Sequence, residues 1–173
     1  ISRSHKVITS DNGLVTITGG KWTSYRLMAE DTVDKAIEVC GLPKRKCVTK
    51  KFRIHGYRKN PDLTDHMYVY GSDEPKILRL IEQEPALGEK LSQKFGYTLA
   101  EVVWAVREEM AITLEDVLAR RVRMLFVDAR EAMAAAPKAA AIMARELGRD
   151  QAWIDAQVES FTKMAKNYIF EQK

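Results

Sequence analysis

Cysteine is nearly absent from the 173 residues: Cys40 and Cys47 stand alone, and the six residues between them match neither a zinc-ligand nor a redox spacing. Reduced thiols are expected, not a bridge. The three histidines, His5, His55 and His66, are isolated and form no metal-ligand pattern. No Asp-x-Asp-x-Asp-Gly loop closed by a glutamate occurs, so no calcium-binding EF-hand is expected, and no other metal. No apolar run approaches the ~20 residues of a membrane-spanning helix. Charge of a single sign is missing too, with 28 Lys and Arg against 24 Asp and Glu, a net of +4. The chain opens on Ile1-Ser2-Arg3 with neither an initiator methionine nor an apolar signal region, and it reads as an excised piece of a longer protein.

What is present is organised around Leu14-Val15-Thr16-Ile17-Thr18-Gly19-Gly20-Lys21-Trp22-Thr23-Ser24-Tyr25-Arg26. Five β-prone residues run into Gly-Gly. A helical pattern follows, with Met28, Ala29, Thr32, Val33, Ala36 and Ile37 on one face. Strand, glycine turn and helix bring backbone N–H groups close to a ligand, because glycine permits close approach and a first helical turn has four unpaired donors. Gly-Gly alone is equally consistent with an ordinary strand-to-helix turn. Lys21, placed with Thr23 in the first turn, works against the helix dipole and so points to a ligand rather than to helix stability.

Upstream, Asp11-Asn12-Gly13 marks a hairpin turn between Lys6–Thr9 and Leu14–Thr18. Without companion strands, the first ~20 residues read as a fragment of a sheet. The helix from Trp22 ends near Cys40, capped by Gly41, with Pro43 just beyond. Residues 42–62 hold Lys44, Arg45, Lys46, Lys50, Lys51, Arg53, Arg58 and Lys59 with little periodicity. They read as a basic linker at a domain boundary, with an extended piece at Val48–Ile54. Residues 63–173 read as helix throughout. Leu63–Tyr70 stops at Gly71, and Glu74–Glu84 is capped by Ser72 or Asp73 and ended by Pro85. Leu87–Phe95 is closed by Gly96. A capping box at Thr98–Glu101 opens a helix through Met110, with Leu99, Val102, Val103, Val106 and Met110 inward. Thr113 starts a further helix carrying Leu114, Val117, Leu118, Val122, Leu125 and Phe126. Asp128 caps the next, Pro137 takes the first position of another ending at Leu147-Gly148, and Asp150 caps the last. The fold class is mainly α, a C-terminal helical bundle preceded by a strand–Gly-Gly–helix piece over residues 1–41.

Glu101, Arg107, Glu108, Glu109, Glu115, Asp116, Arg120, Arg121 and Arg123 lie at helical spacings and read as solvated faces. Arg120 and Arg121 alternatively anchor the bundle to a partner domain. Trp104 and the methionines read as core. Val102–Phe126 superficially matches helix-turn-helix, but the recognition helix would present Glu115 and Asp116 to phosphate, so no nucleic acid is expected there. The basic linker reads as a solvated connector, or as a contact for anionic lipid headgroups or nucleic acid.

Gly19-Gly20-Lys21-Trp22-Thr23-Ser24-Tyr25-Arg26 resembles the end of the flavin-binding domain of FAD-dependent glycerol-3-phosphate dehydrogenases, with Ser24 where a second threonine is usual. The similarity continues through Met28–Asp34, Tyr68–Asp73, Thr113–Arg121, Ala136-Pro137-Lys138 and Ile142–Gly148, in order and over most of the chain. It implies that residues 1–41 are a remnant of the FAD-binding domain. It places Gly19, Gly20, Lys21, Trp22 and Thr23 beside the pyrimidine end of the flavin, gives Lys21 a cofactor-side catalytic role, and puts Arg3 in the substrate cleft, where a guanidinium suits a phosphate or a polarised alcohol. A reduced flavin gathers negative charge near N1 and O2, which a helix N-terminus and an ammonium stabilise. The implied reaction is oxidation of sn-glycerol 3-phosphate to dihydroxyacetone phosphate through FAD. Quinone is the implied acceptor, and the implied location is cytoplasmic, peripheral to the inner face of the cell membrane. An oxidase using oxygen and a non-enzymatic docking module are the alternatives. Implied partners are the N-terminal FAD domain of the same chain, an anionic membrane surface and a second copy in a homodimer. The dinucleotide fingerprint and the catalytic histidine would lie in a missing N-terminal portion. The piece alone is therefore expected to be colourless and inactive, and the strands of residues 1–20 to lack their sheet.

Overall fold

Two β-prone runs and one amphipathic helix make the first unit of the computed structural model, which describes residues 4–170 and divides after Ile54. Strands β1 (His5–Thr9) and β2 (Val15–Gly19) pair antiparallel, with Val7 opposite Ile17 and His5 opposite Gly19. The expected turn joins them: Gly13 takes φ +83°, its N–H donates to Ser10 C=O at 2.9 Å, and Asn12 Oδ1 accepts from Leu14 N–H at 3.2 Å. Helix α1 (Tyr25–Val39) ends at left-handed Gly41, where Leu42 N–H reaches back to Ile37 C=O at 2.9 Å. Met28, Thr32, Ala36 and Ile37 are half-buried, but Val33 is 56% exposed and no described residue of this unit is fully buried. Two strands and a helix have too little surface to enclose a core. The extended piece expected at Val48–Ile54 is instead a β-turn, Lys51 N–H donating to Val48 C=O at 3.3 Å. Among the described residues no third strand exists to pair with it.

The second unit begins at His55 and holds the core. A 3-10 segment, His66–Asp73, replaces the helix expected at Leu63–Tyr70. Asp65 caps it, accepting from Met67 N–H at 2.9 Å, and Gly71 breaks it at φ +53°. That glycine is needed because a Cβ there would meet the Gly56 carbonyl. Helix α2 (Glu74–Gln83) stops before Pro85, as expected. Leu87–Phe95 is not a helix. After one 3-10 turn, Pro85–Gly88, the chain doubles back, with Leu91 N–H donating to Tyr97 C=O at 2.8 Å and Leu99 N–H to Glu89 C=O at 3.0 Å. Leu87 and Leu91 imitate a helical i, i+4 pair, yet Gly88 and Gly96 let an extended loop bury both.

Helix α3 (Leu99–Glu108) has the expected capping box, and Leu99, Val102, Val103 and Trp104 are buried. Met110 lies beyond its end, left-handed and 85% exposed, not inward as expected. The helix expected from Thr113 is a π-helix, Asp116–Arg121, then left-handed Arg123 and a short α4 (Met124–Val127). The wide turn and the reversal let Val122, Met124 and Leu125 all face inward, which a straight α-helix would not allow, and turn Phe126 outward. Helix α5 (Ala129–Leu147) runs through Pro137 without a break. Pro137 is exposed and its flanking alanines are strong helix formers, so the lost hydrogen bond falls on the wet face. Its alanine face packs against α3, α4 and α6 (Gln151–Ala165). Asp128 and Asp150 cap α5 and α6, as expected. No described helix is long and apolar enough to cross a membrane. The class is mainly α, as the sequence implies.

Candidate functional site

The chain passes from β2 to α1 through Gly19 (φ +78°) and Gly20 (φ +86°), both left-handed. A Cβ would lie 2.8 Å from the Ser4 carbonyl at Gly19 and 2.6 Å from Met28 Sδ at Gly20. The backbone clash at Gly19 and the positive φ at both positions favour glycine in the reversal. Lys21 is extended and precedes a 3-10 turn, Trp22–Ser24, that opens into α1; it thus stands one step before the helical run, not inside its first turn. Ser24 fastens it, its Oγ donating to Lys21 C=O at 2.9 Å and accepting from Lys21 N–H at 3.3 Å. A hydroxyl at position 24 is what this brace requires, and serine supplies it as well as threonine.

Lys21, Trp22 and Thr23 form an exposed lip, and the Trp22 ring is tilted over Tyr25 at 6.3 Å. The N–H groups of Trp22 and Thr23 open the helical run and have no acceptor within it. No acidic residue occupies the first turn of either helical segment, so nothing in those turns offsets the positive end of the helical run that Lys21 precedes. Beside it, Ile17, Tyr25, Met28, Ala29, Thr32 and Val33 line an open apolar cleft of about 400 Å³. His5 Nε2 meets Asp31 Oδ2 at 2.6 Å and ties β1 to α1. Gly19, Gly20, Lys21, Trp22 and Thr23 therefore sit together on one lip, while Arg3 lies outside the described residues. Ser24, Met28 and the His5–Asp31 pair are supports that the sequence reading missed. Ser24 lies inside the motif and Met28 and Asp31 inside the similar stretch that follows it, whereas nothing local marked His5 as the partner of Asp31.

The second unit has a polar cluster of its own. Glu101, expected on a solvated face, is 1% exposed. It accepts from Thr98 N–H at 2.7 Å and Tyr70 OH at 3.1 Å, and His66 Nε2 lies 3.1 Å away. The bond to Glu101 raises the His66 pKa against the effect of burial, and burial with the Glu101 charge pushes the Tyr70 phenol far upward. Arg120 and Arg121 are engaged within the unit, Arg120 with Glu115 and Asp116, and Arg121 with Glu109. No described cluster of three His, Cys, Asp or Glu side chains is disposed to hold a metal.

The family model for the C-terminal domain of alpha-glycerophosphate oxidase matches residues 16–154, from β2 through the Gly-Gly turn into α6. A probable mitochondrial glycerol-3-phosphate dehydrogenase of Caenorhabditis elegans is 36% identical over 98% of the chain. The mitochondrial glycerol-3-phosphate dehydrogenases of Mesocricetus auratus and Schizosaccharomyces pombe are 34% and 32% identical over 94% and 96% of it. These alignments take in 26%, 25% and 31% of those proteins, so the chain spans between a quarter and a third of their length. With a match that begins on the second strand, takes in the lip and ends in the last helix, the chain belongs to the family of the C-terminal domain of alpha-glycerophosphate oxidase.

Proposed function

We propose that this chain supplies the cofactor-side flank and the helical C-terminal domain of an enzyme that oxidises sn-glycerol 3-phosphate to dihydroxyacetone phosphate. FAD, held mainly by an N-terminal dinucleotide fold, supplies the hydride acceptor, and quinone at a membrane surface takes the electrons. The proposed parts are residues 1–41, the end of the FAD-binding domain; 42–62, a basic linker; and 63–173, the helical domain. The observation that carries the reading is the lip: Lys21 and the first-turn amides of Trp22 and Thr23, with no acidic residue in the first turn of either helical segment. Such an edge suits the electron-rich pyrimidine side of a flavin, where preorganised donors need no rearrangement as negative charge develops. Gly19 and Gly20 set the reversal, Ser24 holds the Lys21 backbone, and Arg3 is assigned to the substrate's phosphate or reacting alcohol.

Oxygen as acceptor is the second reading, because the matching family is described from an oxidase whereas the relatives are named dehydrogenases. In the full-length protein, substrate-dependent dye reduction without oxygen, and no peroxide formed in its presence, is the outcome expected for the dehydrogenase. Lys21→Met tests the lip itself. Loss of one charge-stabilising group costs about 10²–10³ in rate at well-studied oxyanion sites. With the amides still present, we expect flavin reduction to slow about 10²-fold and substrate affinity to change less. A single-turnover rate within about threefold of the parent, under 1 kcal/mol, would remove Lys21 from the chemistry.

A further inference from the structure

Just after the π-helix, Arg123 is left-handed at φ 58° and ψ 19°, a conformation that glycine or asparagine takes at lower cost. Packing does not account for an arginine there, because the residue is exposed and makes no ion pair among the described residues. Its guanidinium lies 6.0 Å from the centre of the Phe126 ring. Strained non-glycine residues and π-turns both concentrate at ligand sites. Arg123 borders a hollow of about 510 Å³ in the second unit, within the size range of small-molecule sites. Tyr68, Val69, Tyr97 and Phe126 line it with apolar surface, and Arg121 lines it too, its Nε 3.6 Å from Glu109 Oε2. Glu101 is the one acidic residue of the lining among the described residues, and its oxygens are taken up by Thr98, Tyr70 and His66. Burial and Glu101 raise the Tyr97 phenol pKa while Arg123 opposes them, so the guanidinium charge reaches that ring.

We propose that this hollow binds a small aromatic carboxylate, with its charge on Arg123, supported by Arg121, and its ring against Tyr68, Tyr97 and Phe126. A guanidinium meets a carboxylate through two parallel hydrogen bonds, and guanidinium and aromatic faces both stack on a flat ring. Arg121 shares its charge with Glu109, which leaves Arg123 as the unpaired cation. One unpaired cation suits a singly charged ligand. The arginine at position 123 is then kept for the ligand at a cost to the turn that holds it. All of these residues belong to the second unit, and none is part of the flavin lip.

The test is titration of the full-length protein with naphthoate, followed by the fluorescence anisotropy of the probe. Saturable binding is expected, and uncharged naphthamide should bind about tenfold or more weakly, the loss of one hydrogen bond to a charged group. Arg123→Asn should lose about the same factor for the acid and nothing for the amide, whereas Phe126→Ala should weaken both alike, by about threefold. A naphthoate site elsewhere in the protein would be untouched by either change, so the difference between parent and variant reads this hollow alone. Asparagine tolerates the left-handed turn, so Arg123→Asn should unfold at an equal or higher urea midpoint. A lower midpoint would show that the arginine is held there for the fold. That result, no binding, equal binding of acid and amide, octanoate binding as tightly as naphthoate, or unchanged affinity in Arg123→Asn would each overturn the proposal.

Discussion

Glu101 caps the start of α3, a role its spacing from Thr98 makes legible, and the fold then gives it two further partners from a distant segment. Removing it leaves the Tyr70 hydroxyl and the Thr98 amide unpaired in a dry site. Glu101→Ala should cost about 3 kcal/mol in urea unfolding, and Glu101→Gln, which keeps an acceptor, roughly a third of that. The same contact sets a pH dependence. Glu101, and Asp65 at 3.4 Å, raise the His66 pKa, while burial and Lys90 oppose them. A raised folded pKa means that the folded protein holds the proton more tightly. The stabilisation is therefore complete below the unfolded value near 6.5 and is lost as pH rises through the folded one. His66→Gln should flatten the stability profile on that side of neutrality. Asp116, Asp128, Glu131 and Glu146 are held below their ordinary values by hydrogen bonds and cationic neighbours, with burial opposing throughout and foremost for Asp116 and Glu146. Their contribution is present above about pH 4 and fades as pH falls through the lowered values.

Among the elements, α5 carries a local defect that its surroundings tolerate. Pro137 removes the amide that would reach Met133 C=O, yet the helix continues because the exposed face can hydrate that carbonyl and the alanine face is locked against α3, α4 and α6. Pro137→Ala restores the bond without filling any buried space, so α5 should gain stability. The gain is expected at about 1–2 kcal/mol, less than the full proline penalty because the unfolded chain also becomes freer. A drop in the urea midpoint would show that the proline shapes α5 for its neighbours. Sequence placed both ends of α5 and the start of α6 well, since Asp128, Gly148 and Asp150 act on amides or carbonyls within a few residues. It misplaced Pro137 because the rule that proline begins helices is local, whereas what rescues a proline in mid-helix is packing.

For the whole molecule, the second unit buries Ile77, Leu114, Leu118, Met124, Leu125 and Met143, whereas the first buries no described residue. Stability should divide accordingly. In native-state hydrogen exchange of the 173-residue chain, amides of α3 and α5 should exchange only on global opening, and those of β1, β2 and α1 far faster. Equal protection of both would contradict the burial pattern. If, as proposed, the chain holds only one flank of a flavin site, then purified alone it should be colourless and should not oxidise sn-glycerol 3-phosphate. A retained stoichiometric flavin spectrum would count against an affinity that comes mainly from the dinucleotide fold.

The sequence by itself determined the features that depend on near neighbours. These are the hairpin turn at Gly13, the two left-handed glycines before Lys21, the capping boxes and the mainly α class, all carried by backbone preferences or by bonds spanning three or four residues. The lip was legible for the same reason, being one continuous motif. Tertiary structure alone decided the burial of Glu101, the π-helix that turns Phe126 outward, the looped course of Leu87–Gly96 and the survival of α5 through Pro137. In each case local pattern admits two courses, and the winner is set by apolar burial and by partners for buried polar groups such as Glu101, a balance struck between residues far apart in the chain.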